Sequence, residues 1–399
     1  MSAAARPTQA GETLRLPAAV LVVVASVRDS REAVSGTRIV GGLPLLRRIV
    51  LAATDAGYRR ILVPDADHAT RALLEGTTAT AATMAPSRSQ ARVVILPANV
   101  VPQSAWLRAL AEMPIAAETL YVDSSLTTVV ETDDAAGVLA VAARCASAAA
   151  LVAELRRTFA KGAWPLEPAG RFPLVTPRDV AGAEAWLLRS LIKQREGFMS
   201  RHVERRISLA VTRRLAAGAI TPNTMTMVSA AIGLASAPLF LSASPAWQLA
   251  GALLLLTHSI LDGCDGELAR LKFMQSRRGA MLDFWSDNLV HVAVFTCIAI
   301  GWSLAVGAAW PLIPGAVAVA ATLGSAAVMF ERTAQDRAPT RDSVAARLID
   351  GLASRDFIYL LIVASAFGKA AWFLVAVAVG TPTFLVLALW LDGRRGRVR

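Results

Sequence analysis

The sequence predicts a two-part chain: an N-terminal soluble α/β unit followed by an all-α, six-helix integral membrane domain. Three observations carry this. Of 399 residues, 55% are hydrophobic and only 18% charged, where soluble chains carry about 25% charged residues. The deficit sits in one half. No Asp, Glu, Lys or Arg occurs from Leu215 to Leu261 or from Asn288 to Phe330, and Lys369 is the one charge from Phe357 to Leu391. Residues 1–180 instead alternate strand-like and helix-like patterns, the mark of a parallel α/β sheet.

In the soluble half, Ala18–Val27 reads as a buried strand and Leu43–Ala56 as a helix closed by Gly57. Arg60–Val63 and Arg92–Leu96 are further strands, a helix follows from Ser104, and Ala135–Phe159 is an alanine-rich helix. Met1 to Leu16 has no apolar segment of the kind a signal peptide needs. Cys145, Cys264 and Cys297 are scattered and odd in number, so they make neither a disulfide framework nor a spaced zinc site.

Residues 181–220 form a basic junction. Arg189–Arg214 holds eight basic and two acidic residues, and Val203, Ile207, Val211 and Leu215 recur every four positions. This predicts an amphipathic helix lying on an anionic leaflet; an ordinary solvated connector is the other reading. Thr221 then caps, and Pro222 starts, the first spanning helix.

A spanning helix needs about 20 apolar residues. The uncharged runs supply six, at roughly 222–242, 247–267, 281–303, 308–330, 352–368 and 371–391 within residues 221–399. Arg270, Lys272, Arg277 and Arg278 follow the second span, Arg332, Arg337, Arg341, Arg347 and Arg355 the fourth, and four arginines the last. The positive-inside rule therefore puts both termini and the even-numbered loops in the cytoplasm, in an inner or plasma membrane. The net charge of +11 divides as +2 over residues 1–188, +6 over Arg189–Arg214 and +3 beyond. That distribution points to a lipid bilayer as partner and away from nucleic acid.

Four aspartates stand where charge is costly. Asp262 and Asp265 are three apart, Asp283 and Asp287 four apart, so each pair shares a helix face. A short turn between the two helices would oppose these faces. Converging carboxylates repel unless cations neutralise them, and oxygen-only ligands suit Mg²⁺ first, with Mn²⁺ or Ca²⁺ also fitting. Two such ions about 4 Å apart can clamp a phosphoanhydride. Gly266, Ala269 and Gly279 leave room for something to approach the backbone, and Arg270 can pair with phosphate. His258 and His291 lie one turn outside the aspartates, fit either to orient a carboxylate or simply to bond within the bundle.

The full pattern is D-x2-D-G-x2-A-R-x8-G-x3-D-x3-D. It resembles the signature of the CDP-alcohol phosphotransferase (CDP-alcohol phosphatidyltransferase) family, with every fixed position present. Chance would produce it at about one start in 10⁹. The resemblance covers roughly residues 193–391 and includes Thr221-Pro222-Asn223. It implies a homodimer of six-helix subunits that transfers a substituted phosphate from a CDP-alcohol to an acceptor hydroxyl, releasing CMP. It implies Asp262, Asp265 and Asp283 as metal ligands, and Asp287 as a ligand or as the catalytic base. It implies that Asp262, Asp265, Gly266, Ala269, Arg270, Gly279 and Asp283 bind the cytidine diphosphate. The expected donor is CDP-diacylglycerol or CDP-inositol, and the expected acceptor is a polyol or polyol phosphate. Arg332, Arg337, Arg341 and Arg355 could hold an anionic acceptor, although the positive-inside bias explains them equally well.

Gly41-Gly42-Leu43-Pro44-Leu45-Leu46, the following helix and strand Arg60–Val63 resemble a Rossmann-like sugar-nucleotidyltransferase domain. Some members of the family carry one, as in inositol-phosphate cytidylyltransferase / di-myo-inositol-phosphate-phosphate synthase fusions, where it makes the donor. Here the expected glycine-rich loop reads Ala25-Ser26-Val27-Arg28-Asp29-Ser30, and the expected metal-binding Asp reads Asn in Pro97-Ala98-Asn99. These departures predict a degenerate, inactive domain, with Asp65, Asp67 and Asp123 as scattered surface carboxylates. The competing classes are a divalent-cation transporter and a catalytically dead membrane anchor. The first calls for internal repeats and broken helices near midplane, which the sequence does not display.

Overall fold

The computed structural model describes residues 18–24, 34–64, 68–80, 91–145, 147–164, 169–192, 203–334 and 357–395. The chain divides into two compact units, Met1–Trp186 and Leu187–Arg399.

The first unit is built on a seven-stranded sheet. Its strands in chain order are β1 (Ala18–Val24), β4 (Arg60–Leu62), β5 (Ala79–Thr80), β6 (Ala91–Pro97), β8 (Thr119–Val122), β9 (Thr128–Thr132) and β10 (Ala160–Gly162). Two small pairs flank it: β2 (Ile39–Val40) with β3 (Leu43–Pro44), and β7 (Val100–Pro102) with β11 (Arg171–Pro173). The sheet order is β10-β8-β9-β6-β1-β4-β5. Strands β5, β4, β1 and β6 are parallel, as expected. However, β9 runs antiparallel to both β6 and β8, so the sheet is mixed. The short Asp123–Thr127 turn returns the chain directly from β8 to β9, and a connection that short permits only an antiparallel pair.

Helices α1 (Leu45–Ala56) and α3 (Ser104–Glu112) lie near the expected positions, and Gly57 closes α1 at φ 99°. Between them stands α2 (His68–Leu74), a helix outside the expected elements. The expected single helix over Ala135–Phe159 is two, α4 (Ala135–Arg144) and α5 (Ala148–Thr158). Extended Cys145 ends the first, and the Ser147 side chain accepts from Ala150 N–H to start the second. Helix α6 (Asp179–Ser190) contains the division between the units.

The second unit is helical. It contains α7 (Arg205–Ala216), α8 (Pro222–Ser236, extended by a 3-10 turn to Leu241), α9 (Pro245–Lys272), α10 (Arg277–Val306), α11 (Leu312–Ala334), α12 (Phe357–Ala366) and α13 (Ala370–Arg395). Thr221 accepts from Thr224 N–H at the start of α8, with Pro222 in its first turn. Among the described residues, Pro222–Leu241, Arg277–Val306 and Leu312–Phe330 are long and apolar enough to cross a membrane. Helix α9 runs for 28 residues and carries its charges near the C-terminal end. The core joins Phe240, Leu255, Val294, Ile298, Phe373 and Leu374. Outside it, Leu253, Leu289, Ile313 and Val363 are exposed, as lipid-facing side chains are.

Helix α7 is amphipathic in an unusual sense. Its polar stripe, Ser208 and Thr212 with Glu204 just before it, is buried, whereas Val203 and Ile207 are exposed. Arg206, Arg213 and Arg214 are exposed beside them. A soluble helix would bury the apolar stripe.

Candidate active site

Two helices bring the four aspartates together. Helix α9 ends at Phe273, in the left-handed conformation at φ 56°, and Met274 N–H bonds back to Ala269 O at 2.8 Å. Four residues later α10 begins, with Ser276 accepting from Gly279 N–H at 3.0 Å. This turn reverses the chain and lets Asp283 of α10 face Asp262 and Asp265 of α9. One carboxylate oxygen from each of Asp262, Asp265 and Asp283 then lies within 4.8 Å of the others. Asp262 and Asp265 are buried, and Asp283 is half-buried. Asp287 is not part of this trio.

The trio's chemistry suits a hard divalent cation. All donors are oxygen, and Asp283 Oδ1 is buried with no hydrogen-bond partner among the described residues. An anionic oxygen left so in a low-dielectric setting is costly without a cation nearby. Asp265 is held from behind by Thr226 of α8, whose hydroxyl donates to Oδ2. Thr226 carried no signal in the sequence; one hydroxyl in an apolar helix looks like any other.

A cleft of about 210 Å³ opens beside the trio, lined by Asn223, Thr226, Asp265, Gly266, Arg270 and Gly279 among others. The glycines are there for space. A Cβ at Gly279 would lie 3.0 Å from both Asn223 Oδ1 and Ser276 Oγ, and one at Gly266 would lie 3.2 Å from Arg270 Nη1. Ala269 and Asp283 also line the cleft, so six of the seven expected diphosphate-binding positions border it. Asp262, the seventh, is in the trio.

His258 lies between α8 and α10. Its Nδ1 is 2.9 Å from Ser229 O, and its Nε2 is 3.4 Å from Asp287 Oδ1. It thus bonds within the bundle and stands close to a carboxylate. Gly233 makes room, since a Cβ there would lie 2.9 Å from His258 Cγ. His291 instead stacks on Phe295, ring centroids 6.0 Å apart, and packs on Phe357 at 5.8 Å. The side chain of Arg332, and all of Arg337, Arg341, Arg347 and Arg355, lie outside the described residues.

Open α/β sheets bind ligands beyond the carboxyl ends of their parallel strands, which in the first unit is the edge past the paired strands β1 and β6. Asn99 stands just past β6, but its Nδ2 donates to Leu174 O at 2.8 Å. In the Gly41-Gly42 turn, with φ of 56° and 80°, Gly41 N–H already donates to Glu184 Oε1 at 3.0 Å. Buried Arg48 ties its Nε and Nη2 to Val40 O and Gly41 O. Asp123 is not a surface carboxylate: it is buried and paired with Arg171, and its Oδ1 accepts from Ser125 and Thr127. The pairing crosses 48 positions, which no local pattern reveals. Asp65 and Asp67, and the Ala25–Ser30 loop, lie outside the described residues.

Residues 219–391 match the family model described as CDP-alcohol phosphatidyltransferase. Over 220 residues, 54% of this chain and 49% of the relative, the chain is 30% identical to a bifunctional IPC transferase and DIPP synthase of Aquifex aeolicus (strain VF5). A protein of the same name from Thermococcus kodakarensis is 40% identical over 125 residues, 31% of this chain and 28% of the relative. The chain therefore spans about half, or less, of these curated relatives. Among solved structures it resembles Mycobacterium tuberculosis phosphatidylinositol phosphate synthase (PgsA1) with CDP-DAG bound, at TM-score 0.38 and 18% identity, covering 46% of this chain and 92% of that one.

Proposed function

We propose that this chain, which carries a CDP-alcohol phosphatidyltransferase domain over residues 219–391, is an integral membrane CDP-alcohol phosphotransferase. It transfers a substituted phosphate from a CDP-alcohol to an acceptor hydroxyl and releases CMP, in phospholipid or polyol-phosphodiester biosynthesis. The observation that carries this reading is the meeting of Asp262, Asp265 and Asp283 within 4.8 Å beside a glycine-walled cleft.

In this reading the donor diphosphate enters the cleft where Gly266 and Gly279 leave the backbone open, and Arg270 takes a phosphate oxygen. Asp262, Asp265 and Asp283, joined by Asp287 at the far edge, hold Mg²⁺, with Mn²⁺ also fitting and two ions per site. Bound divalent ions draw charge from the diphosphate and from the departing CMP. Asp287, outside the trio and against His258, takes the proton of the acceptor hydroxyl. The acceptor oxygen bonds to the phosphorus that carries the donor alcohol. The bond from that phosphorus to the bridging oxygen breaks, and CMP leaves with the electron pair.

The donor is of the CDP-diacylglycerol or CDP-inositol type, and the acceptor is an alcohol or polyol phosphate. The remaining expectations belong to the same reading: six spans, a homodimer, and an inner or plasma membrane with both termini and the active site cytoplasmic. The outward apolar stripe of α7, with its arginines, supports a collar lying on an anionic leaflet. The first unit is an inactive nucleotidyltransferase-like domain. Its Asn99 amide and Gly41 N–H are committed to internal partners.

Purified protein, given a panel of CDP-alcohols and acceptors with Mg²⁺, tests the reading. CMP release that depends on both substrates is expected; none with any pair would refute it.

A further inference from the structure

The D-x2-D-G-x2-A-R stretch leaves four positions unspecified: Gly263, Cys264, Glu267 and Leu268. Three of them, Cys264, Glu267 and Leu268, are fully buried. At about 100° per residue, Glu267 lies about 200° round the helix from Asp265, on the back of the catalytic face. Helix α7 occupies that back.

Glu267 Oε1 accepts from Arg205 Nη1 at 2.6 Å and from Ser208 Oγ at 2.7 Å, while Oε2 accepts from Thr212 Oγ1 at 2.6 Å. The three donors sit at successive turns of one face of α7. A Cβ at Gly263 would lie 3.1 Å from Arg205 Nη1, and Cys264 Sγ is 3.5 Å from Ser208 O. Lys272 Nζ, five residues beyond Glu267, donates to Gly218 O at 2.7 Å, just past the end of α7.

Apolar packing alone would let α9 slide or rotate against its neighbour. Three short bonds to one buried carboxylate fix both motions, because charge-assisted bonds in a dry setting are strong and directional. Glu267 faces away from the cleft, so it does not touch a substrate. We propose that Glu267 is a positioning residue. By gripping α7 it sets the rotation and height of α9, and so keeps Asp262, Asp265 and Arg270 in register with Asp283 on α10. This inference rests on the roles proposed above for those four residues.

The test uses the full chain in lipid nanodiscs, with Mn²⁺ affinity read by the paramagnetic signal of free Mn²⁺, independently of turnover. The double variant Arg205→Leu/Glu267→Leu replaces the charged grip with packing. It is expected to melt cooperatively yet bind Mn²⁺ about tenfold more weakly, the scale on which supporting partners act on a metal site. Its kcat/KM for CMP release falls by at least as much. Glu267→Gln keeps the shape and falls between. A folded double variant with unaltered Mn²⁺ affinity overturns the proposal. Should the double variant not fold, Thr212→Val decides: it removes one bond and keeps the ion pair, and unaltered Mn²⁺ affinity there overturns the grip as well. An unaltered chain that releases no CMP refutes the proposed function alone, because Mn²⁺ affinity still judges the grip.

Discussion

His258 of α9 and Asp287 of α10 meet, Nε2 to Oδ1 at 3.4 Å. The other ring nitrogen lies 2.9 Å from Ser229 O. A carbonyl oxygen only accepts, so Nδ1 carries a proton and the ring's orientation is fixed. Nε2 is thereby aimed at the carboxylate proposed as the base. His258→Ala is expected to lower kcat about 10- to 100-fold while leaving donor KM near its original value. Steady-state CMP release at varied donor concentration checks this, and a change in KM alone would assign His258 to donor binding.

Asp287→Asn separates the two roles left to that residue. It lies outside the trio of Asp262, Asp265 and Asp283. The amide should abolish turnover and leave donor binding in the presence of Mg²⁺ largely intact, measured by equilibrium dialysis with labelled donor. Loss of binding would make Asp287 chiefly a ligand.

Gly279→Ala tests the cleft wall. The new methyl would press on Asn223 Oδ1 and Ser276 Oγ, each 3.0 Å away. Crowding of this kind costs about 1–3 kcal/mol, so donor affinity should fall about tenfold or more. Unchanged affinity would place the diphosphate elsewhere.

Asn99→Asp tests the first unit. The amide donates to Leu174 O, and a carboxylate there would face a carbonyl with no proton to give. The variant should lose about 1–3 kcal/mol of that unit's stability, seen as a lower melting temperature. It should also gain no CTP-dependent pyrophosphate release. Appearance of that activity would contradict the assignment of this unit as inactive.

The legible parts of the molecule are those with local causes. Uncharged runs marked the apolar helices, Thr221-Pro222 marked the start of α8, and residue spacing put Asp262 with Asp265 on one face. Gly279 was legible as a place of close approach, though its neighbour Asn223 was not. What escaped depends on partners distant in sequence. Thr226 meets Asp265 from another helix, Arg171 neutralises Asp123 from beyond two helices, and Glu267 is claimed by three residues of α7. The period of Val203, Ile207 and Val211 announced an amphipathic α7 but could not say which stripe turns inward. That was decided by a buried carboxylate 55 residues away from Thr212. The reversed β9 and the break between α4 and α5 depended on a short turn and a single serine cap, signals weaker than the strands and alanines around them.

The most direct measurement follows the phosphorus itself. A CDP-alcohol labelled with ³²P only on the phosphate bonded to the alcohol is incubated with the purified chain, Mg²⁺ and acceptor, and the products are separated. The label is expected in a new phosphodiester that joins donor alcohol to acceptor, with unlabelled CMP formed in equal amount and both lost with a chelator. Label left in the donor, or released as a free phosphoalcohol at the same rate with and without acceptor, would contradict phosphotransfer by this site.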